Sequence, residues 1–320
     1  MNKILVPFDF SDSSHNALDY AFFLAETLGS QITVLHVLTV FTEKYHDEVH
    51  LRAIEEALLA MEKEHKEKLD SLVNLGETRG LTINSNIIKN VSVPGGIIDY
   101  LESGNFDAVV IGNRGKPGIS NLLLGRVTEK IIRLSPVPVL SVPKDWVKRE
   151  LKTVLVPVDF SEGSRLASKQ ANKLLGGFHA KLKFIFVIEE DDYPESFSIS
   201  FHFENKENQK LKNEILNALI DFTGIPQDQA EYIIRVGQPH DEIKVFVEGQ
   251  SIDLITMPRS GQSLFEKSLM GSTTERMIRI SPCPVLTVPF SLKNTSKIEY
   301  HLKFIQFLAK YKFGMGRSNR

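Results

Sequence analysis

The sequence lacks the features that mark secreted and membrane-spanning proteins. Its 320 residues include one cysteine, Cys283, so no disulfide can form within the chain. No apolar run approaches the roughly 18 residues that a membrane-spanning helix needs. The amino-terminal apolar run, residues 4–6, is too short for the core of a signal peptide. These absences predict a cytoplasmic protein.

A large excess of charge of one sign is also missing. The net charge is −2, which argues against a globally basic nucleic-acid binder. The charge is uneven, because residues 291–320 carry seven Lys or Arg and one acidic residue, which gives +6 for this tail and −8 for the rest. The tail mixes lysines with apolar residues and predicts a helix. Docking on the body or on another subunit is favoured for it, with a membrane surface as the alternative.

The chain contains an internal repeat. Two segments occur twice: ILVPFDFS at 4–11 and VLVPVDFS at 154–161, then SPVPVLSVP at 135–143 and SPCPVLTVP at 281–289. The repeat unit is therefore a whole domain rather than a short solenoid module. We predict three parts, namely a first domain over residues 1–146, a second over 150–290 and a basic extension over 291–320.

Each copy alternates short apolar runs with segments of helical periodicity. In the first copy the predicted strands are 3–8, 32–38, 81–88, 107–111 and 137–142, and the predicted helices are 13–28, 45–75, 96–102 and 126–134. Alternating elements with Val- and Ile-rich strands predict an α/β fold, in which helices cover both faces of a parallel sheet. Ligands of such sheets bind beyond the carboxyl ends of the strands, where the strand order reverses.

A strand order of 3-2-1-4-5 would put this reversal between strands 1 and 4. Asp9 and the loop that starts at Gly112 would then lie on opposite sides of one crevice. Gly112, Gly115 and Gly125 follow a strand and precede a helix with the spacing G-x2-G-x9-G. Glycines let backbone amides approach a phosphate, and the start of a helix attracts anions. The alternatives are glycines that only bend the loop and an Asp9 that only forms a turn or caps the next helix.

These motifs resemble those of the universal stress protein family, which has a V-P-x-D-x-S start, a G-x2-G-x9-G-[ST] loop and a P-V-P-V-L or P-C-P-V-L ending. Both copies carry the start and the ending, so the resemblance to a tandem universal stress protein covers nearly all of residues 1–290. It implies two open five-stranded parallel sheets of order 3-2-1-4-5, an adenine-nucleotide α-hydrolase-like fold. It also implies that the ligand is ATP or another adenine nucleotide, with Mg²⁺ only when ATP is bound.

In the first copy the resemblance implies adenine contacts at Asp9 and at the backbone of Val37, beside Pro7 of the same motif. The implied phosphate and ribose contacts are Gly112, Gly115, Gly125, Arg126 and Val127. Arg126 stands where the family has Ser or Thr. It could give a phosphate a charged donor, fill the pocket with its bulk, or point to solvent.

The second copy is the weaker candidate site. Its matching residues are Asp159, Val187, Gly261, Gly271, Ser272 and Thr273. Pro258 replaces the first loop glycine, which removes a backbone donor and should weaken a phosphate site at that turn. The acidic run at residues 189–192 would oppose a polyphosphate, although salt screens an exposed run. We therefore expect the better nucleotide site in the first copy.

No catalytic constellation accompanies these loops. The sequence has no G-x4-G-K-[ST], no G-x-S-x-G and no paired cysteines, so at most a slow ATP hydrolysis is expected. His46 and His50 are four residues apart on a predicted helix. Their charged neighbours indicate a solvated helix face rather than a metal site. We predict neither catalytic residues nor a metal.

The endings at residues 136–143 and 282–289 are apolar edge strands between prolines, and bare edges favour pairing. The resemblance implies internal pairing of the two copies, and a homodimer of chains is the other arrangement. Two functions remain open. One is a stress-response regulator that binds an adenine nucleotide. The other is a dimeric scaffold that has lost nucleotide binding. Arg126 and Pro258, which depart from the family motif in the first and second copy, support this function.

Overall fold

The computed structural model describes residues 1–40, 48–113, 124–189, 206–260 and 270–290. The chain divides into two compact units, Met1–Glu150 and Leu151–Arg320. Both have the predicted α/β architecture, a parallel sheet with helices on both faces. Within the described ranges no helix is long and apolar enough to cross a membrane. The predicted tail helix in 291–320 lies outside the described residues.

Unit 1 alternates strands and helices along the chain. Its strands are β1 (Lys3–Pro7), β2 (Gln31–Thr39), β3 (Ile83–Asn90), β4 (Ala108–Gly112) and β5 (Val139–Val142). Its described helices are α1 (Asp12–Leu28), α2 (Glu48–Thr78), α3 (Val93–Ser103) and α4 (Arg126–Leu134). All neighbouring strands are parallel, in the order β3-β2-β1-β4-β5 that was predicted.

Unit 2 repeats this plan. Its strands are β6 (Thr153–Pro157), β7 (Lys181–Ile188), β8 (Ala230–Val236), β9 (Leu254–Pro258) and β10 (Val285–Val288). Its described helices are α5 (Glu162–Leu175), α6 (Lys206–Thr223), α7 (Pro239–Gly249) and α8 (Ser272–Ile280). The parallel strands follow the order β8-β7-β6-β9-β10, which matches unit 1 strand for strand.

The central strands are buried on both faces. Ile4, Leu5 and Val6 of β1 have no exposed surface, and every residue of β4 is buried. A strand covered by helices on both sides must be apolar throughout, so β1 and β4 read as continuous runs of Ile, Leu, Val and Ala. The edge strand β3 is only partly buried, and its sequence INSNIIKN is correspondingly mixed.

Local capping sets the helix starts. Ser11 precedes α1, and its Oγ accepts a hydrogen bond from the backbone N–H of Ser14. The helix α3 begins at Val93, three residues before its predicted start. Ser92 caps this helix and Pro94 occupies its first turn, where the missing N–H of proline has no intrahelical partner to lose.

The strand order reverses once in each unit. In unit 1, β1 lies between β2 and β4, so the chain leaves β1 toward one side of the sheet and reaches β4 on the other. Helices on opposite faces of the sheet therefore start on either side of β1 and leave a gap between them. The corresponding position in unit 2 is β6, between β7 and β9.

Candidate functional site

A cleft of about 250 Å³ opens at this reversal point in unit 1. It is lined by the turn after β1, by β2, and by the residues at the end of β4 and the start of α4. The predicted residues that line it are Pro7, Asp9, Val37, Gly112, Gly125, Arg126 and Val127. Gly115 lies outside the described residues. Residues that are 100 or more positions apart in sequence thus meet around one cavity.

The turn after β1 holds the carboxylate of Asp9 at the cleft. Asp9 is exposed, and its Oδ1 accepts hydrogen bonds from the N–H of Ser11 at 3.1 Å and from the Oγ of Ser11 at 2.5 Å. Phe10 between them has φ 64°, a left-handed conformation that is strained for a bulky side chain. One oxygen of Asp9 therefore has the turn-forming role that sequence analysis gave as the alternative.

Unit 2 builds the same turn. Asp159 Oδ1 accepts from the N–H of Ser161 at 3.0 Å, and Phe160 has φ 58°. A strained residue at the same place in both units shows that the surrounding packing determines this turn, because an isolated chain would relax it.

The start of α4 lies on the opposite side of the cleft. Gly125 is its N-cap and supplies no side-chain hydrogen bond to the first turn. The backbone N–H groups of that turn and the positive end of the helix dipole therefore remain to attract an anion. Arg126 is exposed at the first position of the helix, and it adds a full positive charge to the cleft lining.

A buried threonine ties this helix to β4 in both units. The Oγ1 of Thr128 donates to the carbonyl oxygen of Gly112 at 2.8 Å, and that of Thr274 donates to Pro258 at 2.9 Å. Sequence analysis missed this contact. The available signal was a threonine three residues after the last loop glycine in each copy.

At Gly112 the end of β4 comes very close to α1. A Cβ atom there would lie 2.2 Å from Ser13 Oγ and 2.6 Å from Ser13 O, so the position admits only glycine as the backbone stands. In unit 2 the glycine lies on the other side of this contact. Gly163 follows the counterpart of Ser11 by two residues, and a Cβ on it would lie 2.9 Å from Pro258 Cβ. Pro258 is therefore accommodated by Gly163.

A second cleft, of about 310 Å³, lies at the reversal point of unit 2. The predicted residues that line it are Asp159, Val187, Gly271, Ser272 and Thr273, while Gly261 lies outside the described residues. Glu189 also lines it, and it is the one described member of the acidic run. The two clefts therefore differ in charge, because this one has two carboxylates, Asp159 and Glu189, and the first has Arg126 and one carboxylate.

A histidine that sequence analysis did not identify lines the first cleft. His36 in β2 is 8% exposed, and its Nδ1 lies 2.7 Å from the carbonyl oxygen of Phe8. Burial lowers the pKa of His36, against smaller opposing effects of the Phe8 hydrogen bond and of Asp9. The signal was a polar residue inside the apolar run ITVLHVL, where only a satisfied or functional side chain is tolerated.

The described residues contain no group of three or more His, Cys, Asp or Glu side chains placed to hold a metal ion. The predicted pair His46 and His50 falls outside the side chains that the structure describes. The buried Cys283, on the segment before β10, lies with its Sγ 3.5 Å from the Oγ of Ser281 and is in no disulfide.

Comparison with known proteins identifies the family. The model of the universal stress protein family matches residues 1–143 and 150–289. A universal stress protein of Synechocystis sp. is 29% identical over 310 residues, which cover 90% of this chain and 99% of that protein. One of Mycolicibacterium smegmatis is 26% identical over 293 residues, covering 89% of this chain and 96% of its own length.

A solved structure agrees with these matches. The crystal structure of a universal stress protein from Archaeoglobus fulgidus superimposes with a TM-score of 0.67 and 26% identity, over 90% of this chain and 98% of that one. Two family matches in one chain, full-length relatives and the shared fold lead to one conclusion. The chain belongs to the universal stress protein family and carries two family domains in tandem.

Proposed function

We propose that unit 1 binds an adenine nucleotide in its cleft and that the protein is a nucleotide-dependent regulator in the stress response. One observation carries this proposal. A single cleft at the strand reversal combines the carboxylate of Asp9, an apolar wall that includes Val37, and the cationic helix start at Arg126. The carboxylate can accept hydrogen bonds from the base or the ribose, the apolar wall can hold the planar base, and the helix start can hold the phosphates.

The apolar wall suits a planar base. Val37, Val93, Ile97 and Ile111 come from three different elements and line the same cavity. Pockets for small ligands combine such apolar walls with a few polar groups that orient the ligand. Asp9 is one of these groups, since an ionised carboxylate accepts about four hydrogen bonds and Ser11 supplies two. The remaining capacity suits an N–H of the base or an O–H of the ribose.

The phosphates would lie at the start of α4. Free backbone N–H groups and the helix dipole favour an anion there, and the guanidinium of Arg126 can bind two phosphate oxygens at once. Of the residues described in the lining, Asp9 alone is a carboxylate. A Mg²⁺ ion would thus be held mainly through the phosphates of the nucleotide. The carboxylate of Asp9 and the hydroxyl of Ser11, which are in contact in this lining, are engaged in forming the turn after β1, so we propose binding rather than turnover.

One observation favours the second candidate function, a scaffold that binds no nucleotide. Asp9 and Asp159 each use Oδ1 to hold the turn after the first strand of their unit. Their presence in both copies is therefore explained by folding alone. The two proposals differ in whether the purified protein binds an adenine nucleotide.

The experiment begins with mass spectrometry of any small molecule that the purified protein releases on denaturation. Titration calorimetry of the nucleotide-free protein with ATP then gives the affinity. We expect Asp9→Asn to weaken binding strongly without unfolding unit 1, because the amide oxygen can still accept from Ser11. Asp159→Asn is the matched control in unit 2 and should leave this binding unchanged.

The outcomes separate the proposals. A loss of binding in Asp159→Asn but not in Asp9→Asn would move the site to unit 2. Protein that releases no nucleotide and gives no heat with ATP, ADP or AMP would support the scaffold and contradict nucleotide binding.

A further inference from the structure

The turn that carries Asp9 rests on two histidines. The ring of Phe10 lies 4.9 Å from the ring centroid of His36 and 4.9 Å from that of His65. The two imidazoles are 4.6 Å apart with an interplanar angle of 86°. We call His36 and His65 the histidine pair. They come from β2 and α2, and His36 also lines the cleft.

The surroundings of His36 favour its neutral form. The carbonyl oxygen of Phe8 can only accept, so the Nδ1 of His36 donates to it and Nε2 is the atom that gains a proton on acidification. The Nδ1 of His65 is buried and has no hydrogen-bond partner among the described residues. A second charge on such closely packed rings would be repelled by the first.

The charged groups around the pair leave Asp9 as the carboxylate that acts on His36. From α2, Glu64 and Lys68 face the same cluster, but they pair with each other at 2.6 Å, and Lys68 Nζ lies 5.7 Å from the Phe10 ring. Asp9 raises the pKa of His36, whereas burial, the largest effect, and His65 lower it.

The other elements packed against the pair add one titratable group. His15 of α1 reaches the cluster through Phe8, with ring centroids 4.8 Å apart. In β3 the partner of His36 is the apolar Ile87, and α3 contributes Ile97 to the same cleft. Among the described residues, these elements thus supply no buried anion that would offset a proton on His36.

Unit 2 shows that the turn does not need histidines. There Phe160 packs on Phe186 and Phe222, with ring centroids 5.2 Å apart in each case. Phe186 occupies the place of His36, 150 residues later. The same strained turn is thus supported by rings that cannot titrate. Histidines in unit 1 therefore add a property that the fold itself does not require.

We infer that His36, packed against Phe10 and His65, makes ligand binding in the cleft of unit 1 depend on pH, with binding favoured when the imidazole of His36 is neutral. This inference rests on the proposed nucleotide binding. A base in the cleft removes water from His36 and so disfavours its charged form. A charged His36 would also attract the carboxylate of Asp9, which the ligand needs. Acidification should therefore weaken binding, and binding should lower the pKa of His36.

The same protonation has a predictable effect on stability. Burial holds the folded-state pKa of His36 below its ordinary value of 6.5. Above that value the imidazole is neutral in both the folded and the unfolded chain, and its contribution to stability is complete. As the pH falls toward the folded-state pKa, the unfolded chain takes up a proton first, so unit 1 loses stability.

The test compares ATP affinity at pH 7.5 and pH 5.5 in the full chain by titration calorimetry. We expect wild type to bind about threefold more weakly at the lower pH, because binding lowers the pKa of His36 and the free protein then holds the proton more tightly than the complex does. In His36→Phe, which copies Phe186, this ratio should fall to the part that is due to the phosphates of ATP. His179→Asn, at an exposed histidine of unit 2, should keep the wild-type ratio.

An NMR titration of the histidine resonances in wild type, with and without ATP, gives a second measurement that needs no variant. ATP should lower the pKa of His36. An unchanged pKa, or an unchanged affinity ratio in a folded His36→Phe, would overturn the inference while nucleotide binding stands. Absence of ATP binding at both pH values would overturn the proposed function and this inference with it.

Discussion

The two units share one backbone arrangement, which we call the frame, and differ in the side chains that line their clefts. In unit 1 the N–H of Asn113 donates to Val142 O at 3.0 Å and the N–H of Gly125 to Asn113 O at 3.0 Å. The matching bonds of unit 2, from Arg259 to Val288 and from Gly271 to Arg259, measure 2.8 and 2.9 Å. The described residues on either side of the loop after the fourth strand are therefore held by equivalent backbone hydrogen bonds in both units.

The differences lie in side chains at the clefts. Arg126 corresponds to Ser272, His36 to Phe186, and Gly112 to Pro258. The last replacement is matched by a glycine at position 163 in contact with the proline, so the packing of unit 2 tolerates it. The comparison teaches that a substitution in the loop motif need not destabilise the domain. A change in one strand end can be compensated by its contact partner 95 residues away in sequence.

The largest expected effect tests this compensation. Gly112→Ala should destabilise unit 1 by about 3 kcal/mol, because the new Cβ would overlap both Oγ and O of Ser13. Trp146, the sole tryptophan of the sequence, lies in unit 1, so its fluorescence during urea unfolding follows this unit. Adding Ser13→Gly should recover part of the loss, since the contact with the carbonyl oxygen remains.

The control for this experiment is Gly95→Ala in α3 of the same unit. A Cβ there would lie 3.5 Å from the Cβ of Ser92, an ordinary van der Waals contact, so the free energy of unfolding should change little. If Gly112→Ala were as stable as wild type, the close approach would not explain why the glycine is at position 112 in unit 1 and on the other side of the contact, at position 163, in unit 2.

The shared frame should respond equally in both units. Thr128→Val and Thr274→Val each remove a buried donor, which leaves the carbonyl oxygen of Gly112 or Pro258 without that hydrogen bond. We expect each to lower the free energy of unfolding by about 1.5 kcal/mol. Thermal denaturation and amide hydrogen exchange measure both effects. A large loss of unfolding free energy in one unit only would show that the threonine contact does not have the same role in the two units.

The next prediction concerns the cleft linings. Arg126→Ser copies Ser272 into unit 1 and should weaken ATP binding about tenfold, or about 1.4 kcal/mol, through loss of a charged donor. Adenosine affinity should be unchanged because adenosine has no phosphate. Lys130→Ser removes the same charge from an exposed position one turn later in α4 and is the matched control. If wild type, Arg126→Ser and Lys130→Ser bound ATP with equal affinity, Arg126 would point to solvent and would not contact the phosphates.

The smallest effect is expected at the helix caps. Ser11→Ala and Ser161→Ala each remove the hydroxyl that accepts from the N–H three residues later, at 3.2 and 3.1 Å. Each should cost about 1 kcal/mol in the free energy of unfolding. Urea titrations followed by circular dichroism suffice. Strongly unequal losses would mean that the two turns are held differently despite their common geometry.

Much of the fold could be predicted because it depends on short-range patterns. The repeat and the alternation of strands and helices were predicted from such patterns, the strand order was implied by the resemblance, and the structure confirms the α/β fold. Boundaries moved by a few residues where a cap was overlooked, as at Ser92 before α3. The family was recognised from motifs at the chain positions that the turns and strand ends require.

The candidate site was less accessible to sequence reasoning. Asp9 and Gly112 could be named from their positions after strands, because the topology of a parallel sheet brings strand ends together. His65 and Thr128 gave no such signal. Each acts through a contact with an element distant in the chain, and the identity of such a partner depends on how the helices pack on the sheet.

The sequence alone therefore determined that this protein is a duplicated α/β domain, because periodicity, turns and repeated motifs are local and are written along the chain. Only the tertiary structure decided how the copies differ. It brought His65 of α2 against His36 of β2, and Gly163 against Pro258, so that a motif substitution has a packing partner. Such pairs follow from distances between elements, and no local pattern encodes those distances.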